Sequence, residues 1–86
     1  MKEYGVLLFN STHYAMEAEK YLKEASLPAR IISTPEKIKA SCGFSLKYNI
    51  DLEKEIIDLL DDKKLLYDGF YHASGKGLNI DYRKVG

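Results

Sequence analysis

The strongest constraint on the fold is a short apolar run near the N-terminus. Residues 4–10 read YGVLLFN, so that large apolar side chains follow one another without a break from Val6 to Phe9, and the turn former Asn10 comes next. A short apolar run that ends at a turn former is typical of a strand buried in the middle of a sheet. Alternation along such a strand places Val6 and Leu8 on one face and Leu7 and Phe9 on the other. We therefore expect a sheet with this strand at its centre.

The remaining periodic segments predict an α+β fold. Apolar residues recur at helical spacing near residues 13–25 and 51–62, which predicts two helices. The expected strands are residues 4–10, 29–34, 44–48 and 68–73. The resulting order, βαββαβ, is that of the ferredoxin-like sandwich, in which two helices cover one face of an antiparallel sheet.

The ends of the elements carry turn and capping residues. The hydroxyl of Ser11 or Thr12 is expected to cap the first helix, and Asp51 the second, because short polar side chains accept hydrogen bonds from free backbone N–H groups. We expect one domain over residues 1–86 with its core in 4–73. Residues 74–86 are then a turn and tail, or a turn followed by an extra strand.

Composition excludes several classes of partner. The 13 basic and 13 acidic residues cancel, so that charge gives no argument for nucleic acid. No apolar stretch approaches the roughly 20 residues that span a bilayer, so we expect no membrane interaction. A single cysteine and the lack of a signal-peptide pattern favour the cytoplasm.

The single cysteine, Cys42, is the best candidate for chemistry. Small or turn-forming residues flank it, Ser41 before and Gly43 after, and two lysines precede it, Lys37 and Lys39. A lone thiol serves either packing or chemistry, and a packed cysteine is more common inside an apolar run. Glycine beside the sulfur also lets another molecule approach closely.

Metal and disulfide chemistry are poor alternatives for this thiol. One cysteine and two distant histidines, His13 and His72, do not make a conventional zinc site. Without a second cysteine there is no dithiol pair of the thioredoxin kind. We expect no metal and no cofactor.

The predicted topology brings several polar residues to one edge of the sheet. Thr12 and His13, at the start of the first helix, are expected at this edge. Thr34 ends the second strand at the same edge, and Cys42 and Gly43 precede the third strand there. Free N–H groups and the positive end of the helix dipole stabilise an anion at such a position. They would lower the pKa of the thiol, and His13 and the two loop lysines would add to the effect.

A longer residue pattern resembles a known family. The chain is similar to the small bacterial domains described as Se/S carrier-like proteins, over roughly residues 4–73. The resemblance implies a sulfur or selenium carrier in which Cys42 holds a persulfide or selenopersulfide, and it favours a carrier protein over a turnover enzyme. The donor would be a protein of the cysteine desulfurase type, and an acceptor protein would take the chalcogen. The residues that carry the resemblance are Phe9-x-Ser11-Thr12-His13-x-Ala15-x-x-Ala18-Glu19-x-x-Leu22, Ser33-Thr34-Pro35 and Ser41-Cys42-Gly43.

Two features depart from the family pattern. Members usually have a basic residue directly after the proline, where this chain has Glu36, with Lys37 next. The segment 74–86 has no counterpart in the pattern.

The alternative interpretation involves no covalent chemistry. If the helices cover the Val6 face of the sheet, Leu7 and Phe9 form an exposed apolar patch, and such patches usually mark interfaces. The chain would then be a small regulatory or protein-interaction domain that forms a homodimer through its sheet. A carrier requires Cys42, whereas an interaction domain keeps its affinity when Cys42 is replaced by serine.

Overall fold

Two helices pack on an antiparallel sheet in the structure, a computed structural model that describes residues 3–9, 11–38, 43–76 and 79–86. The strands of the described residues form one sheet in the order β2-β3-β1-β4-β5. The α+β prediction is confirmed, and the order of the first four strands is the ferredoxin-like one, to which β5 adds an edge strand. The elements are β1 (Tyr4–Phe9), α1 (Thr12–Glu24), β2 (Ala29–Ser33), β3 (Phe44–Tyr48), a 3-10 turn (Ile50–Leu52), α2 (Glu53–Asp62), β4 (Gly69–Lys76) and β5 (Asn79–Lys84).

The strand registers define two ends of the sheet. Phe44, the first residue of β3, pairs with Phe9 and Ser33, the last residues of β1 and β2. We call this end the upper edge, and β4 also begins there. At the opposite end, the lower edge, Tyr48 pairs with Gly5 of β1 and with Ala29, the first residue of β2.

Both helices pack on the face of the sheet that carries Leu7 and Phe9. These two side chains are 0% and 2% exposed and belong to one core cluster with residues of α1, α2 and β3. The prediction of an exposed Leu7 and Phe9 patch is therefore wrong. Burial of one such side chain contributes about 1.5–3 kcal/mol. The other buried members of the cluster are Ala15, Ala18, Leu22, Leu46, Tyr48, Ile56 and Leu60.

The opposite face of β1 is buried as well. Val6 is 0% and Leu8 7% exposed, although no helix lies on that side. Lys37, in the connection from β2 to β3, donates a hydrogen bond of 2.6 Å from its Nζ to the carbonyl oxygen of Ile80 on β5. β2 and β5 are the two edge strands, so this bond joins the β2–β3 connection to the edge strand at the other side of the sheet.

The helix starts differ from the sequence prediction in their caps. Ser11 is at the N-cap position of α1, but its side chain makes no capping hydrogen bond, and Thr12 is already helical. Before α2, the side chain of Asn49 accepts a hydrogen bond of 2.9 Å from the backbone N–H of Asp51. Asn49 therefore caps the 3-10 turn that leads into α2, and the prediction of Asp51 as the cap is wrong.

The C-terminal segment is more ordered than a turn and tail. β4 continues through Ser74, Gly75 and Lys76, which the sequence predicted as part of a turn. β5 then pairs antiparallel with β4 from Asn79 to Lys84. The extra strand is thus the observed alternative.

Both helices end in the same hydrogen-bonded motif. After α1, Leu27 N–H donates to Leu22 O at 2.8 Å, and Ser26 has a φ of 60°. After α2, Leu65 N–H donates to Leu60 O at 2.9 Å, and Lys64 has a φ of 58°. This is the Schellman ending, whose left-handed position normally holds glycine.

We predict that Ser26→Gly and Lys64→Gly each stabilise the protein. The left-handed conformation costs an L-residue about 1–2 kcal/mol, of which the greater freedom of glycine in the unfolded chain offsets about 0.4–1 kcal/mol. Denaturant unfolding should show gains of about 0.5–1 kcal/mol. The control is Lys23→Gly, inside α1, which should lose about 1 kcal/mol. Losses of that size at positions 26 and 64 would contradict the prediction.

Candidate functional site

Two hydrogen bonds hold the strands at the upper edge where the thiol was predicted. The backbone N–H of Thr34 donates to the carbonyl oxygen of Gly43 at 3.0 Å, one residue beyond the β2–β3 pairing. The Thr34 Oγ1 and Ser45 Oγ atoms lie 2.8 Å apart, and Ser45 is fully buried. Thr34 and Gly43 are thus neighbours on the face of the sheet opposite the helices. Gly43 is the described residue adjacent in sequence to Cys42.

Three of the predicted site residues lie outside the described residues. They are Lys39, Ser41 and Cys42. Their predicted roles remain predictions.

The start of α1 lies at the same edge, because α1 follows the end of β1. Thr12 and His13 are exposed there. The Nε2 atom of His13 is 3.9 Å from a carboxylate oxygen of Glu17, and its ring centroid is 5.8 Å from that of Tyr14. The first turn has no acidic residue and no side-chain cap from Ser11. The positive end of the α1 dipole is therefore not compensated by its own first turn.

Lys37 has a structural contact that the sequence did not predict. Its ammonium group donates to Ile80 O and so attaches the β2–β3 connection to β5. The described site residues thus form one contacting pair, Thr34 with Gly43, together with Thr12 and His13 on the same edge. Lys37 is instead hydrogen-bonded to Ile80 on β5, the edge strand on the other side of the sheet from β2.

A second polar cluster, at the lower edge, was missed by sequence reasoning. One carboxylate oxygen of Glu53, the first residue of α2, accepts from the Tyr48 hydroxyl at 2.6 Å and lies 2.7 Å from Nε2 of His72. The side chains of His72 and Glu53 are only 15% and 21% exposed. Gly5 lies between Tyr48 and His72 in the sheet, and a Cβ there would overlap the Tyr48 ring. The glycine in β1 was the one sequence signal for this close approach.

Burial and hydrogen bonding perturb two tyrosines. Burial first, then the hydrogen bond to Glu53, raises the pKa of Tyr48 far above its usual range, so its hydroxyl stays a proton donor. On β5, burial and then a hydrogen-bonding interaction with Tyr4 raise the pKa of Tyr82 to about 12. Both groups therefore hold neutral hydroxyls at physiological pH.

The described parts of the chain lack two further features, a metal-binding cluster and a helix that could cross a membrane. No three His, Cys, Asp or Glu side chains converge there as a metal site would require. No helix there has the length and apolar character to cross a bilayer.

The protein is thus a small α+β domain, and its single cysteine lies in sequence between the antiparallel strands β2 and β3. The model of the family described as "Putative Se/S carrier protein-like" matches residues 4–72, and the chain belongs to that family. The match ends within β4, so β5 lies beyond it. No curated protein and no solved structure matches the chain significantly.

We predict that Tyr48 makes the stability of the fold sensitive to alkaline pH. Its folded pKa exceeds the unfolded value of about 10, so its contribution is complete below pH 10 and decreases as the pH rises further. Above pH 10 one such group lowers the free energy of unfolding by about 1.4 kcal/mol per pH unit. In Tyr48→Phe, the free energy of unfolding should decrease with pH less steeply than in wild type, by this amount. Urea unfolding at several pH values above 10 measures the difference.

The comparison variant is Tyr82→Phe, which removes a group whose pKa is raised only to about 12. Tyr82→Phe should therefore change the pH dependence of the unfolding free energy only up to about pH 12. The change caused by Tyr48→Phe should continue above that pH. Equal slopes in wild type and Tyr48→Phe above pH 10 would contradict the role of Tyr48.

Proposed function

We propose that the protein carries sulfur or selenium as a persulfide or selenopersulfide on Cys42. The single observation that carries the proposal is membership of the Se/S carrier-like family over residues 4–72, a range that includes Cys42 and Gly43. The residues that we propose to support the thiol are Thr12, His13, Thr34, Lys37, Lys39, Ser41 and Gly43.

The upper edge supports this proposal electrostatically. Cys42 is bonded to Gly43, which contacts Thr34 at the edge where α1 begins. The positive end of α1, whose first turn has no acidic residue, favours an anion at this edge, whether thiolate, persulfide or selenopersulfide. A thiolate stabilised in this way is available for attack at neutral pH.

The transfer we propose is a displacement at sulfur. The Cys42 thiolate attacks the outer sulfur of a persulfide on a desulfurase-type donor and forms a new S–S bond. The S–S bond of the donor breaks, and the donor sulfur leaves as a thiolate with the bonding electron pair. The outer sulfur keeps its hydrogen, so no external oxidant or reductant is required. An acceptor protein removes the chalcogen by the same step, and selenium follows the same balance.

We predict that iodoacetamide alkylates Cys42 with a midpoint below the reference thiol pKa of about 8.5. A helix end contributes about 0.3–1 kcal/mol at an exposed site, and one pKa unit corresponds to about 1.4 kcal/mol. With the further contributions that we propose for His13 and for the two lysines that precede Cys42 in sequence, a decrease of about one unit in the thiol pKa is expected. His13→Ala and a double substitution of Lys37 and Lys39 should each move the midpoint to higher pH.

The control for these variants is Lys54→Ala, because Lys54 is an exposed residue of α2 paired with Asp58 near the lower edge. It should leave the midpoint unchanged. A wild-type midpoint at or above that of a free thiol, or a sulfur that never reacts in the folded protein, would favour the interaction-domain alternative.

We also predict that Gly43→Ala separates function from folding. A Cβ at this position would lie 3.4 Å from Oγ1 of Thr34, an ordinary contact, so the stability should change by less than about 0.5 kcal/mol. The added methyl group would still obstruct a partner that approaches the adjacent sulfur, so sulfur loading from a donor protein should slow. Loading at the wild-type rate in a folded Gly43→Ala protein would contradict close approach at Gly43.

A further inference from the structure

A groove at the lower edge has no role in the chemistry proposed for the upper edge. It has a volume of about 690 Å³ and is open to solvent. It runs around the start of β2 and the end of β3, and its walls include Arg30, Lys47, Tyr4, Tyr48 and Leu52. The groove therefore combines two cationic side chains with aromatic and aliphatic surface.

The two cations of the groove are direct cross-strand neighbours. Arg30 of β2 pairs with Lys47 of β3, so both side chains project from the same face of the sheet. Like charges in this arrangement repel each other and destabilise the strand pair. Glu3 also lines the groove, yet no carboxylate of the described residues lies within ion-pair distance of either cation. Among those residues, no ion pair therefore relieves the repulsion between Arg30 and Lys47.

The Tyr4 ring fixes one of the cations. The Nζ atom of Lys47 lies 4.4 Å from the centroid of this ring, a cation–π contact. Tyr82 on β5 in turn lies near Tyr4, because both residues pair with Ala73 of β4. The ring therefore restrains the ammonium group before any ligand arrives, and preorganisation of this kind reduces the entropic cost of binding.

We propose that this groove binds a small molecule with a carboxylate or phosphate group next to an apolar or aromatic part. The anionic group lies between Arg30 and Lys47, where it relieves their mutual repulsion, and the guanidinium group offers it paired N–H donors. The apolar part lies along the groove wall that contains Leu52 and the first residues of β2.

The groove is separate from the thiol site. Gly5 and Phe9, the β1 positions paired at the two edges, are four residues apart, which corresponds to about 13 Å of strand. Binding here therefore does not depend on the carrier proposal, and the protein with Cys42→Ser should bind as well as wild type.

The test is an amide chemical-shift titration of the full chain with three probes at constant ionic strength. Phenyl phosphate has both parts of the proposed ligand, inorganic phosphate only the anion and phenol only the ring. Phenyl phosphate should bind saturably and more tightly than phosphate, phenol should not saturate, and the shifts should lie in residues 29–30 and 47–52. Arg30→Gln and Lys47→Gln should each weaken phenyl phosphate roughly tenfold, as expected for the loss of one charged hydrogen bond.

The matched control is Arg83→Gln, because Arg83 is an exposed arginine on the opposite edge strand. It should leave the affinity unchanged. The proposal is overturned if phenyl phosphate does not saturate, if its shifts lie elsewhere, or if Arg83→Gln weakens it as much as Arg30→Gln does. Loss of binding in Cys42→Ser would also overturn it, because the ligand would then belong to the thiol site.

Discussion

Burial of β1 on both faces is the constraint on which the rest of the structure depends. Leu7 and Phe9 require the two helices on one side, and Val6 and Leu8 require cover on the other. On the Leu7 face the cover is α1 and α2, and the bond from Lys37 to Ile80 joins the β2–β3 connection to β5.

The same bond links the connection that contains Cys42, the proposed carrier residue, to the C-terminal segment. The family match ends at residue 72, but β5 supplies the carbonyl group that holds Lys37. The connection held in this way is the one that contains Cys42. Through Tyr82, β5 also contacts Tyr4 at the lower-edge groove. A segment beyond the family match thus contributes to both ends of the sheet.

The order of elements was predictable from the sequence, whereas the faces of β1 were not. Helices and strands follow from local periodicity, and all of them were placed within a few residues. In contrast, Val6 to Phe9 are all apolar, so alternation contains no information on which pair faces the helices. The cap at Asn49 was missed because the 3-10 turn before α2 has no distinct pattern, and element ends are the least certain part of such predictions.

The contacts that define the two edges were harder to predict for a related reason. Glu53 and His72 are 19 residues apart, and Lys37 and Ile80 are 43 apart. Such pairs depend on the tertiary arrangement, and a single sequence gives no signal for them. Thr34 and Gly43 were predictable neighbours because the topology alone brings their strand ends together.

The central functional claim is that Cys42 accepts a chalcogen from a donor protein, and intact mass tests it most directly. Wild-type protein incubated with a cysteine desulfurase and cysteine should gain the mass of one sulfur atom, and mild reductant should remove it. Cys42→Ser should gain nothing under the same conditions. An unchanged wild-type mass with an active donor, or an equal gain in Cys42→Ser, would contradict the claim.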